Sequence, residues 1–596
     1  MAYYITTLLV YGGVDAVACL ALSQQFGISG VTNFAFIIFQ AAGAYAAAVL
    51  SLPPDSANGA FQTYVGGLQL PFPLPWIGAA IAGGLLALPF AVLVGKRLRG
   101  DFAAVGLLVT AVMANLLVTN YRPLLNGDAG LALVPAPFDS HIDPQSGRYQ
   151  WGYAIVAIAI ALLVYLFLTR ITNSPYGRTL RAMRDNDVVA DSLGKNLRTL
   201  RTSMLVLGGA IAGLSGGILV GFINLWDPAA WGYAESIVLF AAVIIGGLGN
   251  HRGAVLGAAI VPVGFLEGSR YLPQFGGPGL VPALQWVAIG LLIVLFLWFR
   301  PQGILPERRR VIGGRTEHGG GEAPEDLPQI ERPAAPARRL RPVAPDIVLE
   351  ARGLARSFDG VRAVDGVSVA FQRARLTGLI GPNGAGKSTM LGMLAGTLEP
   401  TEGSIVYMGE DVTRMPAYRR ARKGLVRTFQ LASEFKRLTV LENLLSAVPG
   451  QRGDSFRGAL AGRRYWGADE REAIARAEEM LERFGLSAYG DTYAGDLSGG
   501  QRRLVEIMRA LMARPQVLLL DEPMAGVHPL LAHRIGDLLL GLCEEGITIV
   551  MVEHELAIMD EFADPVVVMA EGRVLAEGAM AALRAREEVV EAYLVG

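Results

Sequence analysis

The sequence predicts an α-helical polytopic membrane domain followed by an α/β domain with a phosphate-binding loop. The chain has 596 residues, of which 52% are hydrophobic, and one soluble core of ordinary composition does not account for this content. The apolar excess lies in the first half, whereas the second half carries charge at soluble-protein frequency. A glycine-rich motif that binds phosphate follows a predicted strand in the second half. These observations indicate two domains in two different solvents.

The first half contains apolar runs that approach or exceed the roughly 20 residues of a bilayer-spanning helix. We expect about eight spans within a membrane domain of residues 1–300. The runs lie near residues 5–22, 31–50, 75–95, 103–119, 151–169, 204–224, 235–263 and 281–299. Because the first run has no basic region before it and no convincing cleavage site after it, we interpret it as a retained span.

Basic residues of the first half are concentrated in three predicted loops. Cytoplasmic loops carry an excess of Lys and Arg, so we expect these loops and the second half in the cytoplasm. The loops at 51–73 and 121–150, which contain only Arg122 and Arg148 among basic residues, are expected outside. The three clusters are Lys96, Arg97 and Arg99; Arg170, Arg178, Arg181, Arg184, Lys195, Arg198 and Arg201; and Arg300, Arg308, Arg309 and Arg310.

Charge and cysteine content narrow the class of protein further. The formal net charge of −1 argues against a general nucleic-acid binder. Cys19 and Cys543 are far apart in the sequence, so no disulfide framework is predicted. Residues 301–346 are rich in Pro, Gly, Arg and Glu and poor in large apolar groups, which predicts a disordered linker. The α/β domain then covers residues 347–596.

The motif GPNGAGKST directly follows the apolar strand Leu376–Ile380. Its glycines at 381, 384 and 386 let the backbone curl so that successive N–H groups face phosphate oxygens. The alternative is a glycine-rich turn without a ligand, which a full motif after a strand makes improbable. We predict contacts to a nucleoside triphosphate from Gly381, Asn383, Gly384, Gly386, Lys387, Ser388 and Thr389. Lys387 is expected on the β- and γ-phosphates, and Ser388 on Mg²⁺.

Two further apolar strands should end at the same sheet edge. Val517–Leu520 leads to Asp521, predicted as a Mg²⁺ ligand, and to Glu522, predicted to polarise the attacking water. Ile547–Val552 leads to His554, which could contact the γ-phosphate. Taken alone, a histidine after a strand is more often a structural residue.

A second phosphate-binding surface is predicted at the start of the helix in LSGGQRRLVEIMRALMARP. Small residues with free N–H groups at a helix start can bind phosphate, and here they are Ser498, Gly499, Gly500 and Gln501. One nucleotide does not readily need two such surfaces from one domain. A head-to-tail pair of domains would use both.

The motifs GPNGAGKST, LSGGQ, LLLDEP and VEHE, in this order, resemble an ATP-binding cassette (ABC) ATPase over residues 347–596. The resemblance implies vectorial ATP hydrolysis with ATP and Mg²⁺. It also implies that Phe358 stacks on adenine, with core packing as the alternative, and that Gln430 contacts Mg²⁺ and the attacking water. Ser498 and Gly500 would complete the site of an opposing cassette, and His554 would act beside Glu522 and Gln430 in catalysis. One departure is His528, which stands where most cassettes carry aspartate.

The first half resembles the permeases of branched-chain amino-acid importers, which implies a type II-like ABC importer permease. The resemblance lies in GISGVTNFAFIIFQAAGAYAAAVL, in ESIVLFAAVIIGGLGNHRGAVLGAAIV at 235–261, and in YGRTLRAMRDNDVVADSLGKNLRTLRT at 176–202. The segment at 176–202 is similar to the cytoplasmic coupling loop of ABC importers. Its alternative is a solvated loop that only determines topology.

The resemblance implies a subunit of a binding-protein-dependent importer of branched-chain or other hydrophobic amino acids in a prokaryotic inner membrane. Partners would be a second permease and a second cassette, an external binding protein, and membrane lipid, without nucleic acid. A second copy of this chain is the alternative partner. Urea, amides or aromatic carboxylates are alternative substrates. An exporter and a regulatory ATPase that moves no solute remain the other functional classes.

Overall fold

The computed structural model describes residues 2–54, 62–95, 100–139, 142–269, 280–307, 346–358, 360–428 and 434–595. The chain forms two compact units. The first comprises Met1–Leu180 and Leu197–Arg308, and the second comprises Arg181–Asn196 and Arg309–Gly596. Most of the predicted linker, at 308–345, and the basic residues at 96–99 and 308–310 lie outside the described residues.

The first unit is helical, in agreement with its apolar composition. Its helices are α1 (Ala2–Leu22), α2 (Phe36–Ser51), α3 (Leu74–Gly95), α4 (Gly100–Asn120), α5 (Arg122–Leu125), α6 (Gly147–Thr172), α9 (Leu197–Ile223), α10 (Tyr233–Gly246), α11 (His251–Ala258) and α12 (Leu280–Phe299). Helix α7 (Pro175–Asp185) begins in the first unit and ends in the second, and α8 (Asp187–Ser192) lies in the second. Ser23–Ile28 continues α1 and Ala259–Glu267 continues α11, both with π-helical geometry. The short strands β1 (Leu131–Ala132) and β2 (Leu225–Trp226) pair antiparallel.

Of the eight predicted spans, five lie on described helices of membrane-spanning length and three lie on shorter apolar helices. Five are long and apolar enough to cross a membrane: Tyr3–Ile28, Leu74–Leu93, Phe102–Asn120, Gly147–Thr172 and Leu197–Ile223. Shorter apolar helices lie at Phe36–Ser51, Tyr233–Gly246 and Ala283–Phe299. The run predicted at 235–263 is two helices, because Gly247 and Gly249 adopt positive φ of 135° and 78° and end α10 before α11 begins.

Glycines bring the helices of the first unit into backbone contact. A Cβ added to Gly43 of α2 would lie 2.1 Å from the Gly213 carbonyl oxygen of α9, and one added to Gly257 of α11 would lie 1.8 Å from that of Ala242. Such small-residue contacts hold helices together where the surrounding lipid is as apolar as the side chains.

The second unit contains a six-stranded sheet and a four-stranded antiparallel sheet. The six-stranded order is β12-β11-β5-β10-β9-β8, in which only β12 is antiparallel, and the four-stranded order is β4-β3-β6-β7. The strands are β3 (Ile347–Phe358), β4 (Val361–Gln372), β5 (Leu376–Ile380), β6 (Glu402–Tyr407), β7 (Glu410–Asp411), β8 (Leu425–Arg427), β9 (Val517–Asp521), β10 (Thr548–Val552), β11 (Val566–Ala570) and β12 (Arg573–Gly578).

Helices flank these sheets. They are α13 (Lys387–Ala395), α14 (Ala417–Arg422), α15 (Val440–Ser446), α16 (Phe456–Ala461), α17 (Arg463–Arg483), α18 (Gly499–Met512), α19 (Pro529–Glu544), α20 (Leu556–Phe562), α21 (Met580–Leu583) and α22 (Glu587–Val595). Strands β5, β9 and β10 are buried along their whole length, as expected of parallel strands covered on both faces. They are neighbours, with Val552 opposite both Leu379 and Asp521, so the loops after all three strands meet at one edge.

Candidate active site

The loop between β5 and α13 has the curled backbone that its glycines predicted. Gly381, Gly384 and Gly386 have φ of 152°, 82° and 96°, values that L side chains rarely adopt. A Cβ on Gly381 would lie 2.1 Å from the Met569 carbonyl oxygen. At Gly384 the surroundings are open, so its backbone angle alone requires glycine. Asn383 is exposed on the same loop.

Lys387, the first residue of α13, folds its side chain back into this loop. Its Nζ donates hydrogen bonds to the carbonyl oxygens of Gly381 at 2.7 Å and Pro382 at 2.9 Å. Burial lowers the pKa of Lys387, while the carboxylates of Glu522 and Asp521 act in the opposite direction. A buried ammonium group is thereby positioned beside the exposed backbone of the loop.

Asp521 lies at the end of β9 and accepts hydrogen bonds from a hydroxyl and a guanidinium group. Ser388 Oγ donates to Asp521 Oδ1 at 3.3 Å, and Arg427 Nη2 donates to Asp521 Oδ2 at 2.9 Å. Asp521 is 1% exposed, so these two hydrogen bonds take the place of contacts with water. Ser388 and Asp521, predicted from separate motifs, are therefore adjacent. Thr389 follows on α13 and is half-buried.

Glu522 and His554 meet across neighbouring strands. His554 Nε2 lies 2.8 Å from Glu522 Oε1, because β9 and β10 end side by side. The φ of Glu522 is 49°, which is uncommon for a residue with a side chain and marks local strain. The arrangement directs a carboxylate and an imidazole toward the edge where the phosphate loop begins.

Arg503 and Glu553 support this strained turn, although the sequence reasoning did not select them. Arg503 donates to the carbonyl oxygens of Pro523, at 3.0 Å, and of Glu522, and it pairs with Glu506 at 2.5 Å. Glu553 Oε1 accepts the Met524 N–H at 2.7 Å. Burial raises the pKa of Glu553 to about 7. Arg503 is part of the QRR segment and Glu553 is part of VEHE, but the sequence does not reveal their partners.

The LSGGQ segment begins α18 with a capping box. Ser498 Oγ accepts the Gln501 N–H at 3.4 Å, and Gln501 Oε1 accepts the Ser498 N–H at 3.0 Å. Ser498 and Gly499 are exposed, and a Cβ on Gly500 would lie 2.9 Å from Leu531 Cδ2. The predicted small-residue surface is therefore open to a ligand, whereas the Gln501 side chain serves the helix start.

The remaining predicted residues differ in how far the structure describes them. Phe358 ends β3 with 40% of its surface exposed, and the Arg356 guanidinium lies 4.8 Å from its ring centroid. An aromatic ring so exposed is not a core residue. His528 caps α19, its Nδ1 accepting the Leu530 N–H at 3.3 Å. Gln430 lies outside the described residues.

The segment Arg181–Asn196 packs within the second unit through buried polar contacts. Arg181 Nη2 lies 2.7 Å from Glu442 Oε1 of α15, and both side chains are almost fully buried. Lys195 pairs with Asp454, and Arg422 Nε donates to the Gly194 carbonyl oxygen at 2.7 Å. The segment that resembles a coupling loop therefore contacts cassette residues near both of its ends.

Helix α15 also contacts the helix that begins at LSGGQ. Arg509 of α18 donates to Asn443 Oδ1 at 3.3 Å, and its guanidinium lies 4.8 Å from the Phe435 ring centroid. Arg502 pairs with the buried Glu434 at 3.4 Å. Neighbouring residues of α15, Glu442 and Asn443, therefore bind Arg181 and α18, respectively.

The first unit contains a cavity of about 460 Å³, within the size range of small-ligand pockets. Its walls come from the ends of α2, α3 and α9 and from the segments at 69–72 and 134–139. The lining combines aromatic rings and prolines with polar groups, and its polar side chains include Ser51, Gln69 and Asp139.

Comparisons with known proteins match each unit separately. The family described as "Branched-chain amino acid transport system / permease component" matches residues 4–297, and that described as "ABC transporter" matches residues 364–525. The probable branched-chain amino acid transport ATP-binding protein of Archaeoglobus fulgidus is 38% identical over 41% of this chain and 95% of its own length. The high-affinity branched-chain amino acid transport ATP-binding protein of Pseudomonas aeruginosa is 38% identical over 41% and 97%.

A solved structure, a nucleotide-free ATP-binding cassette from an ABC transporter, is 38% identical over 41% of this chain and 98% of its own, with a TM-score of 0.37. The second unit is an ATPase cassette that binds ATP and couples its hydrolysis to transport. The first is a multi-pass permease of the inner membrane, with the cassette on the cytoplasmic side. This chain belongs to the ATP-binding cassette transporters of the branched-chain amino-acid family and carries the permease and the ATPase in one polypeptide.

Proposed function

We propose that this chain imports branched-chain or other hydrophobic amino acids, delivered by an external binding protein, at the expense of ATP hydrolysis. The observation that carries the proposal is that the permease matches a family of branched-chain amino-acid transport permeases, while relatives of the cassette are named branched-chain amino-acid transport ATP-binding proteins. The proposed domains are a permease at 1–300, a linker at 301–346 and a cassette at 347–596.

The loop before α13 is the proposed phosphate cradle. Backbone N–H groups of Gly381, Asn383, Gly384 and Gly386 would surround the phosphates, with Lys387 and Thr389 as side-chain donors. Lys387 can exchange its two carbonyl acceptors for phosphate oxygens, which bear more charge. The exposed ring of Phe358 would stack on adenine.

The donor set beside this loop fits Mg²⁺. Ser388 hydroxyl and Asp521 carboxylate are hard oxygen ligands, and they already lie 3.3 Å apart. We assign them, with Gln430, as the residues that would hold the ion, and its role there is to neutralise charge on the phosphate oxygens. Arg427 keeps the second Asp521 oxygen oriented.

Hydrolysis would depend on Glu522 and His554. Glu522 accepts a proton from the attacking water, and the strained backbone fixed by Arg503 aims its carboxylate at that water. His554, 2.8 Å from Glu522, holds the carboxylate in place and presents its ring toward the γ-phosphate. Gln430 is assigned a second contact to the water by resemblance.

A second cassette would complete the site. Ser498, Gly499, Gly500 and Gln501 start α18 with an open N-terminal surface, which we assign to the nucleotide of the opposing cassette. We favour a different permease and a different cassette as partners, and a second copy of this chain is the alternative. His528 would lie near that interface, because it caps the helix that follows the catalytic turn.

Coupling would run through α15. Arg181 and Lys195 anchor the segment Arg181–Asn196, while Asn443 connects α15 to α18. When two cassettes close, a shift of α18 would move Asn443 of α15, and the neighbouring Glu442 would transmit the movement to Arg181.

The test is uptake into proteoliposomes that contain the complex copurified with this chain. We expect uptake of leucine, isoleucine or valine that requires ATP on the cassette side and binding protein on the other, and that Glu522→Gln abolishes. Flux outward from loaded vesicles without binding protein would favour an exporter. ATP turnover with no solute flux would favour a regulatory ATPase. Uptake that only urea or benzoate competes for would show that the substrate belongs to one of those classes and is not a branched-chain amino acid.

A further inference from the structure

A buried hydrogen-bonded network lies where α1, α6, α9 and α11 approach one another. Gln24, Gln25 and Asn33 are fully buried, and Thr172 and His251 are nearly so. Polar side chains inside a membrane domain are expensive unless they satisfy one another, and apolar packing could join the same helices. Their presence therefore indicates a function beyond holding the helices together.

The contacts form a continuous chain. Thr172 Oγ1, on the last residue of α6, donates to Gln24 Oε1 at 3.1 Å and lies 3.0 Å from His251 Nε2. With its hydroxyl proton directed to Gln24, Thr172 offers its oxygen to an Nε2–H of His251. Gln24 Nε2 in turn donates to Met204 Sδ of α9 at 3.4 Å.

A second branch adds the approach to α2. Asn33 Nδ2 donates to Gln25 Oε1 at 3.1 Å, and Gln25 Nε2 donates to the Leu205 carbonyl oxygen at 3.2 Å. Gly208 provides the space, since a Cβ there would lie 2.2 Å from Gln25 Nε2. The two adjacent glutamines thus contact the end of α6, the interior of α9 and the segment before α2.

The network lies at positions where helices can change direction. Gln24 and Gln25 belong to the π-helical turn Ser23–Ile28, a geometry frequent at functional sites. His251 begins α11 directly after the break that follows α10. Thr172 ends α6, and α7 begins at Pro175. Residues at element ends are those that absorb movement in hinge transitions.

We propose that Gln24, Thr172 and His251 are positioning residues that transmit movement of α7 to α1, α9 and α11 during transport. Helix α7 starts three residues after Thr172 and its last residues belong to the cassette unit. A displacement of α7 reaches α9 directly at the Tyr176–Ser203 hydrogen bond. It also reaches Thr172 along the chain, and Gln24 and His251 then pass it to α1 and α11. The inference rests on the proposed coupled transport and concerns the link between ATP and solute, not the solute's identity.

The test compares three threonine variants in proteoliposomes, with ATP hydrolysis and uptake measured on the same vesicles. Thr172→Val keeps the volume but removes both hydrogen bonds, and Thr172→Ser restores the hydroxyl. Thr169→Val is the matched control, because its hydroxyl, one turn earlier on α6, has no hydrogen-bond partner among the described residues. A purely structural role would lower uptake and hydrolysis together.

We expect Thr172→Val to lower solute moved per ATP by about fivefold or more, with basal hydrolysis within about twofold of wild type. Thr172→Ser and Thr169→Val should keep the wild-type ratio. A wild-type ratio in Thr172→Val, or the same loss in Thr169→Val, would overturn the proposal. If Thr172→Val does not assemble, Met204→Leu removes the acceptor of Gln24 at nearly constant volume, and an unchanged ratio there overturns it equally.

Failure of the proposed substrate would look different. Wild-type vesicles would then hydrolyse ATP without taking up any branched-chain amino acid. In that case the stimulation of hydrolysis by the external binding protein replaces uptake as the readout. Thr172→Val should lose this stimulation and Thr169→Val should keep it, whereas equal stimulation in both variants contradicts the relay.

Discussion

Arg181 and Glu442 form a buried ion pair, with Arg181 Nη2 2.7 Å from Glu442 Oε1 and both side chains at most 4% exposed. Glu442 also closes the capping box that begins α15 with Thr439. The arginine comes from a segment between permease helices, and the glutamate comes from the cassette sequence. One carboxylate therefore both starts a cassette helix and binds the permease-derived segment.

Replacing Arg181 should lower solute uptake without removing nucleotide binding. Arg181→Met leaves the buried charge of Glu442 without its main partner, which for buried pairs costs about 3–5 kcal/mol. We expect uptake to fall at least about tenfold while the cassette still binds nucleotide, measured by uptake and by nucleotide binding on one preparation. The control is Arg483→Met, because its pair with Glu545 is exposed and contributes little. Equal uptake in the two variants would contradict the assignment.

Glu522→Gln should retain ATP binding and lose most turnover, about a hundredfold or more, because an amide cannot accept the proton of the attacking water. Single-turnover hydrolysis and nucleotide binding measure the two effects separately. Glu555→Gln changes an exposed carboxylate of the same loop and should turn over normally. Near-normal hydrolysis by Glu522→Gln would refute the role given to Glu522.

Glu553 should make the stability of the cassette depend on pH. Its pKa is raised from an ordinary 4.5 to about 7, so between these values the folded protein binds more protons than the unfolded one. The sign follows: its contribution is complete below about pH 4.5 and is lost, at up to about 1.4 kcal/mol per pH unit, as pH rises toward 7.

The variant Glu553→Gln keeps an acceptor for the Met524 N–H and removes the titration. The thermal unfolding temperature of the cassette should therefore fall less between pH 5 and pH 7.5 in the variant than in the wild type. Parallel pH profiles for the two proteins would show that Glu553 does not titrate in this range.

Gly257→Ala should destabilise the permease severely. The added Cβ would lie 1.8 Å from the Ala242 carbonyl oxygen, and backbone at that distance must move apart. Gly106→Ala is the matched control, since among the described residues no atom beyond its own helical turns lies within 4 Å of its added Cβ. The amount of folded transporter recovered from membranes should fall only for Gly257→Ala, and equal recovery would contradict the close packing of α10 on α11.

The positions of the proposed cassette-site residues could be predicted from the sequence, because these residues belong to short motifs that follow buried strands. Gly381, Lys387 and Glu522 each follow a run whose strand position is readable from its apolar residues. The meeting of Glu522 with His554 required only that parallel strands end at one edge.

Other features depend on tertiary contacts that periodicity does not encode. Arg427 reaches Asp521 from a strand far away in sequence, and Arg181 reaches Glu442 across 261 positions. The network around Gln24 was equally hidden, since a glutamine in an apolar run reveals no partner. The break at Gly247 was missed because glycine is common in membrane helices and only its positive φ shows that α10 ends there.

The most direct test of the account is uptake of radiolabelled leucine, isoleucine and valine by vesicles holding the copurified complex, with wild-type chain and Glu522→Gln compared. The account predicts concentration of at least one of these amino acids by the wild type, dependent on ATP and binding protein, and none by the variant. Uptake that persists in Glu522→Gln, or ATP hydrolysis by the wild type without movement of any hydrophobic amino acid, would contradict it.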